Sequence, residues 1–96
     1  MSARPEPAPH HLDWTVHPGH VIRDELTIRK MRQVEFAHRT RFTPRHITRV
    51  LHGQVQVTAD LALATEAVLG IPAHVLMRMQ ADNTLWHAAQ RRRKGQ

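Results

Sequence analysis

Apolar positions recur at spacings of three and four along most of the chain, the period of an α-helix rather than of a strand. Pro18 suits the first turn of a helix, where its missing N–H is no loss. Val21, Ile22, Leu26 and Ile28 then fall mostly on one side, which predicts helix one. A second helix is predicted from Gln33 to about Thr40, with Val34, Phe36, Ala37 and Thr40 in i, i+3 and i+4 relations. At barely two turns it is too short to stand alone. Thr43-Pro44 starts helix three, because the threonine hydroxyl caps orphan amides while proline presets the first helical φ. Ile47, Val50 and Leu51 form its buried face, and Gly53 stands just past its end, where a left-handed residue is favoured. Gln54-Val55-Gln56-Val57 alternates like a strand, but no other segment offers it a partner, so it reads as loop. Thr58 is the next N-cap, with Asp60 in the first turn; Leu61, Ala64, Val68 and Leu69 make the stripe, and Gly70 ends the helix. Pro72 opens the last helix, along which Leu76, Met79, Asn83 and Trp86 repeat, with Val75 and Leu85 widening the face. Five helices give an all-α fold.

Ninety-six residues support one domain around one core. Segment 1–16 carries Pro5, Pro7 and Pro9 among alanines and reads as a flexible arm. Segment 17–90 is the folding unit. In 91–96 the run Arg91, Arg92, Arg93, Lys94 repels itself and reads as a frayed helix end or a basic tail. The chain has no cysteine, which excludes disulfide scaffolds and Cys-based zinc modules. No apolar run approaches the roughly 18 to 20 residues of a bilayer span, and the first 16 residues hold no signal-peptide stretch, so a cytoplasmic protein is expected.

Charge sharpens this picture. The formal net charge is +6, a balance that attracts polyanions. It is also unevenly placed: between Arg29 and His52 stand seven Lys or Arg and one acid, whereas 58–90 holds one Arg and three acids. The cations therefore follow the pair formed by short helix two and well-capped helix three. In a helix-turn-helix, the first helix of such a pair crosses the DNA backbone and the second enters the major groove.

Gln33-Val34-Glu35-Phe36-Ala37, followed ten residues after Ala37 by Ile47 and then by Val50, resembles the helix-turn-helix of the Cro/C1-type (XRE) DNA-binding proteins. In that pattern the small Ala37 lets the two helices approach closely. His17-Pro18-Gly19, Asp24-Glu25-Leu26, Leu76, Gln80-Ala81-Asp82 and Leu85-Trp86 are similar to HigA-type antitoxins, over roughly residues 17 to 88. The resemblance implies a five-helix Cro/C1-type domain and a homodimeric repressor of its own operon. It also implies two partners, a palindromic double-stranded DNA operator and a RelE/HigB-like, mRNA-cleaving toxin. The sequence departs from the family at the turn, where Arg41 stands in place of the usual glycine at a strain of about 1 kcal/mol. Thr40 precedes it instead of leucine, and Arg32 replaces a serine-like N-cap.

The resemblance gives Gln33 a phosphate-anchoring role at the start of helix two. Arg45 and Arg49, four apart, share the face of helix three opposite Ile47 and Val50, and each suits bidentate contact with a guanine edge, worth roughly 1 to 3 kcal/mol of discrimination. The bland alternative for both is a solvated cationic face. Thr43, His46 and Thr48 are secondary contacts, with Thr43 equally suited to a pure capping role. Arg29, Lys30, Arg39 and Arg41 are nonspecific phosphate partners. Leu76, Met79, Leu85 and Trp86 form the candidate dimer interface; completing the monomer core is the other reading open to them.

Nine histidines show no metal-ligand spacing such as H-E-x-x-H, and no cofactor is implied. His17 is expected to cap or pack at the start of helix one. His46 and His52 flank the proposed DNA face, where phosphate favours their charged form, so operator binding is expected to strengthen as pH falls from about 8 to 6. There is no cysteine nucleophile, G-x-S-x-G elbow or glycine-rich phosphate loop, and adjacent Asp24-Glu25 do not converge, so no enzyme is expected. Two other readings stay open here: a solitary XRE-type repressor without a toxin, and a basic RNA-associated protein.

Overall fold

The computed structural model describes residues 14–95. Five helices follow one another: α1 (Pro18–Arg29), α2 (Gln33–Thr40), α3 (Pro44–Leu51), α4 (Ala59–Leu69) and α5 (Ala73–Lys94). Among the described residues there is no strand, and 54–57 is loop, as the missing pairing partner implies. The Pro-rich segment 1–13 lies outside the described residues.

The helix ends follow the capping chemistry written in the sequence. His17 is the N-cap of α1, its Nδ1 accepting from the Gly19 N–H at 2.9 Å. Thr43 Oγ1 accepts from His46 N–H at 3.1 Å and Thr58 Oγ1 from Leu61 N–H at 3.3 Å. Arg32, as its side chain dictates, gives α2 no cap bond. Gly70 takes the left-handed cap of α4 and Gly53 has φ +73° just beyond α3. Arg41 adopts φ 66°, a left-handed conformation that favours glycine. Lys30 does the same at the end of α1 with φ 59°, a strained position that no sequence signal marks.

The helices close around Ile22, Phe36, Ile47, Leu51, Leu61 and Leu76, all fully buried. α2 packs on α3 and α4, α1 on α3 and α5, and α4 on α5. Gly19 allows the start of α1 to meet the end of α3, since a Cβ there would run into the Val50 carbonyl oxygen. Four residues placed on buried faces by periodicity lie outside instead. Ile28, one residue before the end of α1, is 73% exposed, and Val34 is exposed on α2. Val75 and Leu85 sit on the outer side of α5, so they do not widen its buried face.

Polar side chains take part of the space that periodicity assigns to apolar ones. Thr65, Gln80 and Asn83 are buried on α4 and α5. Gln80 Oε1 accepts from the Val57 N–H at 2.8 Å and its Nε2 donates to Thr84 Oγ1 at 3.2 Å, fixing the α3–α4 loop to α5. α5 runs on as helix through Arg91, Arg92, Arg93 and Lys94. No described helix is long and apolar enough to cross a membrane.

Candidate nucleic-acid interface

Packing decides which face of α3 is left outside. Ile47, Val50 and Leu51 are drawn into the core, so Arg45, Thr48 and Arg49 project from the opposite side, all exposed. Among the described residues neither Arg45 nor Arg49 enters an ion pair or a side-chain hydrogen bond, so both guanidinium groups keep their five donors for an external acceptor. That arrangement matches what bidentate recognition of a guanine edge requires.

α2 is coupled to this face directly. Thr48 Oγ1 donates to Gln33 Oε1 at 3.2 Å across the α2–α3 angle. The bond turns the Gln33 amide group toward α3 and leaves its NH2 to donate outward, beside the unbonded amides that begin α2. Gln33 and Thr48 thus act as a pair rather than as two separate contacts. The bond is not legible in the sequence, although the i to i+15 separation across a helix-turn-helix is compatible with it.

The other candidates divide. Thr43 is committed to capping α3, its hydroxyl facing the helix end. His46 folds back on Phe42, rings stacked at 5.3 Å and 20°, and its Nε2 is buried with no hydrogen-bond partner among the described residues. The ring therefore supports the turn and does not present that nitrogen to the outer face. His52 is exposed, its Nδ1 2.8 Å from the Thr48 carbonyl oxygen, which leaves Nε2 outward. Arg41 and Lys30 are exposed without ion pairs among the described residues, whereas Arg39 pairs with Glu35 at 2.8 Å. Arg29 is withdrawn from the phosphate set: it pairs with Glu25 at 2.7 Å and donates to the Leu69 carbonyl at 2.5 Å, bracing α1 against the end of α4.

On α5, Leu76 is fully buried in the monomer core and has no area left for a partner, because its face meets α1 and α4. Met79 and Trp86 are half-buried and Leu85 is 58% exposed. Trp86 meets His87 edge-on at 5.1 Å.

Three histidines gather where α1, the α3–α4 loop and α5 converge. His17 and His20 lie 5.8 Å apart, and His87 is an electrostatic neighbour of His17. Burial holds the His17 ring below the ordinary imidazole value; nearby His20 adds to this, a backbone hydrogen bond with Val55 opposes it, and His87 lowers it again. Among the described residues no group of His, Asp or Glu is arranged to hold a metal ion.

No family model and no curated protein matches the chain in sequence. Solved structures do. An antidote protein, so designated, of a plasmid maintenance system from Nostoc punctiforme superposes with a TM-score of 0.80 at 28% identity, covering 84% of this chain and 89% of that one. An addiction module antidote protein of the HigA family from Coxiella burnetii gives 0.75 at 25% identity, with coverage of 83% and 88%. The Pseudomonas aeruginosa antitoxin HigA, solved with the higBA promoter, gives 0.79 at 22% identity, with coverage of 85% and 90%. The all-α helix-turn-helix fold implied by the resemblance is thus the fold of this chain.

Proposed function

We propose that this chain, which has the fold of the HigA-type antitoxins, is a DNA-binding antitoxin that represses its own promoter and neutralises a RelE/HigB-like, mRNA-cleaving toxin in the bacterial cytoplasm. The observation that carries the reading is the pair of unengaged guanidinium groups, Arg45 and Arg49, on the outward face of α3. The Gln33–Thr48 bond braces that face from α2. Exposed charge alone gives only nonspecific affinity; a rigid helix carrying two forked donors four residues apart adds base discrimination.

Eight residues of α3 bury too little surface to hold one DNA site tightly, so a dimer presents two copies of it to half-sites about one duplex turn apart. The side of α5 that carries exposed Leu85 and half-buried Met79 and Trp86 is the dimer surface in this reading. The test is co-expression with the product of the neighbouring reading frame, followed by a footprint on the shared promoter. Copurification and a footprint with two-fold symmetry are expected. Protection without a copurifying partner leaves a repressor and removes the antitoxin role. Binding to structured RNA in preference to the promoter contradicts the reading as a whole.

A further inference from the structure

The end of α5 carries Arg91, Arg92, Arg93 and Lys94 as helix, every one exposed and, among the described residues, without an ion pair. The acid preceding them on the helix is Asp82, more than two turns upstream, so nothing on α5 offsets their mutual repulsion. A helix C-terminus welcomes one or two cations in its last turn; four in succession exceed that need. Consecutive residues step by about 100° around the axis, so the four surround the helix end and do not form a stripe along it. That geometry suits point contacts to a flexible line of phosphates rather than the reading of base edges.

Their place in the fold connects them to α3. Arg45, Arg49 and His52 stand at i, i+4 and i+7 along one side of α3 and its cap. Immediately beyond them, Gly53 lies so close to α1 that a Cβ on it would sit 3.1 Å from His20 Nε2 and 3.6 Å from the His17 ring. His87 of α5 is an electrostatic neighbour of His17. Arg91 follows His87 by one helical turn and Lys94 by two, about 6 and 10 Å further along the same face. The end of α3 thus meets the start of α1, on which α5 also packs, so α1 is the element that joins the two basic segments.

We infer that the cationic end of α5 is a second DNA-contact element, gripping the duplex backbone beside the segment read by α3 without regard to sequence. This rests on the DNA-binding reading above. It extends the footprint and raises affinity while adding no base discrimination.

The experiment measures binding by fluorescence anisotropy between about 50 and 300 mM KCl, a range over which phosphate contacts change affinity by orders of magnitude. The probes are a duplex of the promoter upstream of this chain's gene and a random-sequence duplex of equal length. The full chain is compared with Arg91→Gln/Arg92→Gln/Arg93→Gln/Lys94→Gln and with Arg91→Lys/Arg92→Lys/Arg93→Lys. The glutamine variant is expected to flatten the log–log salt slope by about 2 to 4, at about 0.9 per phosphate, and to weaken both probes at least about tenfold near 150 mM. Its promoter-to-random ratio stays that of the parent, and the lysine variant keeps the parental slope. An unchanged slope in the glutamine variant, while the parent still prefers its promoter, overturns this inference alone. A glutamine variant that keeps the slope but no longer copurifies with the neighbouring gene product assigns the cations to an acidic protein surface and overturns it too. A parent chain with no promoter preference and no salt dependence removes both this inference and the reading beneath it.

Discussion

The α2–α3 unit and the α4–α5 unit solve the same packing problem in opposite ways. In α2–α3, Phe36, Ala37, Ile47, Val50 and Leu51 go inside and the cations stay outside. The separation between faces is clean on α3, while on α2 exposed Val34 and buried Thr40 depart from it. In α4–α5 it is blurred, with Thr65, Gln80 and Asn83 inside and Leu63, Val75 and Leu85 outside. Polyanions are met by exposed charge, protein partners by exposed apolar area, so the two units carry the surfaces that two kinds of partner need. Short helices that must hold a fixed angle tolerate little ambiguity about which face is buried. Longer helices tied by a buried amide network can place apolar residues on the surface.

The strongest break of this contrast is Phe36→Ala, which empties the centre of the α2–α3 unit. A loss of about 3 to 5 kcal/mol is expected in urea denaturation, enough to unfold a domain of this size at moderate temperature. A cost below about 1 kcal/mol would show that α2 is held by its neighbours and not by its own core residue. Gly19→Ala attacks the seam between α1 and α3, forcing a methyl into the Val50 carbonyl, and is expected to cost about 1 to 3 kcal/mol. Unchanged stability would mean that the seam opens freely.

The α4–α5 unit should respond with the other sign. Thr65 Oγ1 is buried without a hydrogen-bond partner among the described residues, so Thr65→Val removes a polar atom that gains nothing from being inside. Stabilisation of about 1 kcal/mol is expected, read as a higher denaturation midpoint at constant m-value. A destabilised valine variant would reveal an interaction that the hydroxyl makes in the assembled protein.

The smallest effect concerns pH, at the junction joining the two units. His17 is held below its ordinary value of 6.5 when folded, by burial first and His20 second. As pH falls through 6.5 the unfolded chain takes up the proton before the folded one does, so stability declines from there toward the lower folded value. His17→Asn retains a capping acceptor without titrating, and its midpoint is expected to fall less than the parent's between about pH 7.5 and 5.5. Equal falls would place the acid sensitivity in other groups.

How much the sequence discloses differs between the same two units. Thr43, Pro44 and Gly53 delimit α3 from the residue pattern alone, because capping is local chemistry. The burial of Ile47, Val50 and Leu51 follows from period, and the outward placement of Arg45 and Arg49 follows in turn. The burial of Gln80 does not follow, because its partner is the Val57 amide 23 residues away. Arg29 reads as a free phosphate contact for the same reason: its acceptor is the Leu69 carbonyl, a backbone group 40 residues distant with no signature in side-chain pattern. His46 likewise reads as an outward residue, although the Phe42 ring holds it against the turn. Local bonds are legible in a sequence, whereas long-range bonds to backbone are fixed only when the fold is assembled.

The central claim is that the exposed side of α3 distinguishes one DNA sequence from another through Arg45 and Arg49. The direct measurement is competition between the promoter duplex and a random duplex for the Arg45→Ala/Arg49→Ala protein. The variant is expected to fold with parental stability, to keep weak, salt-sensitive binding, and to lose about tenfold or more of the promoter preference for each arginine. A variant that folds and still favours the promoter as strongly as the parent would contradict the claim.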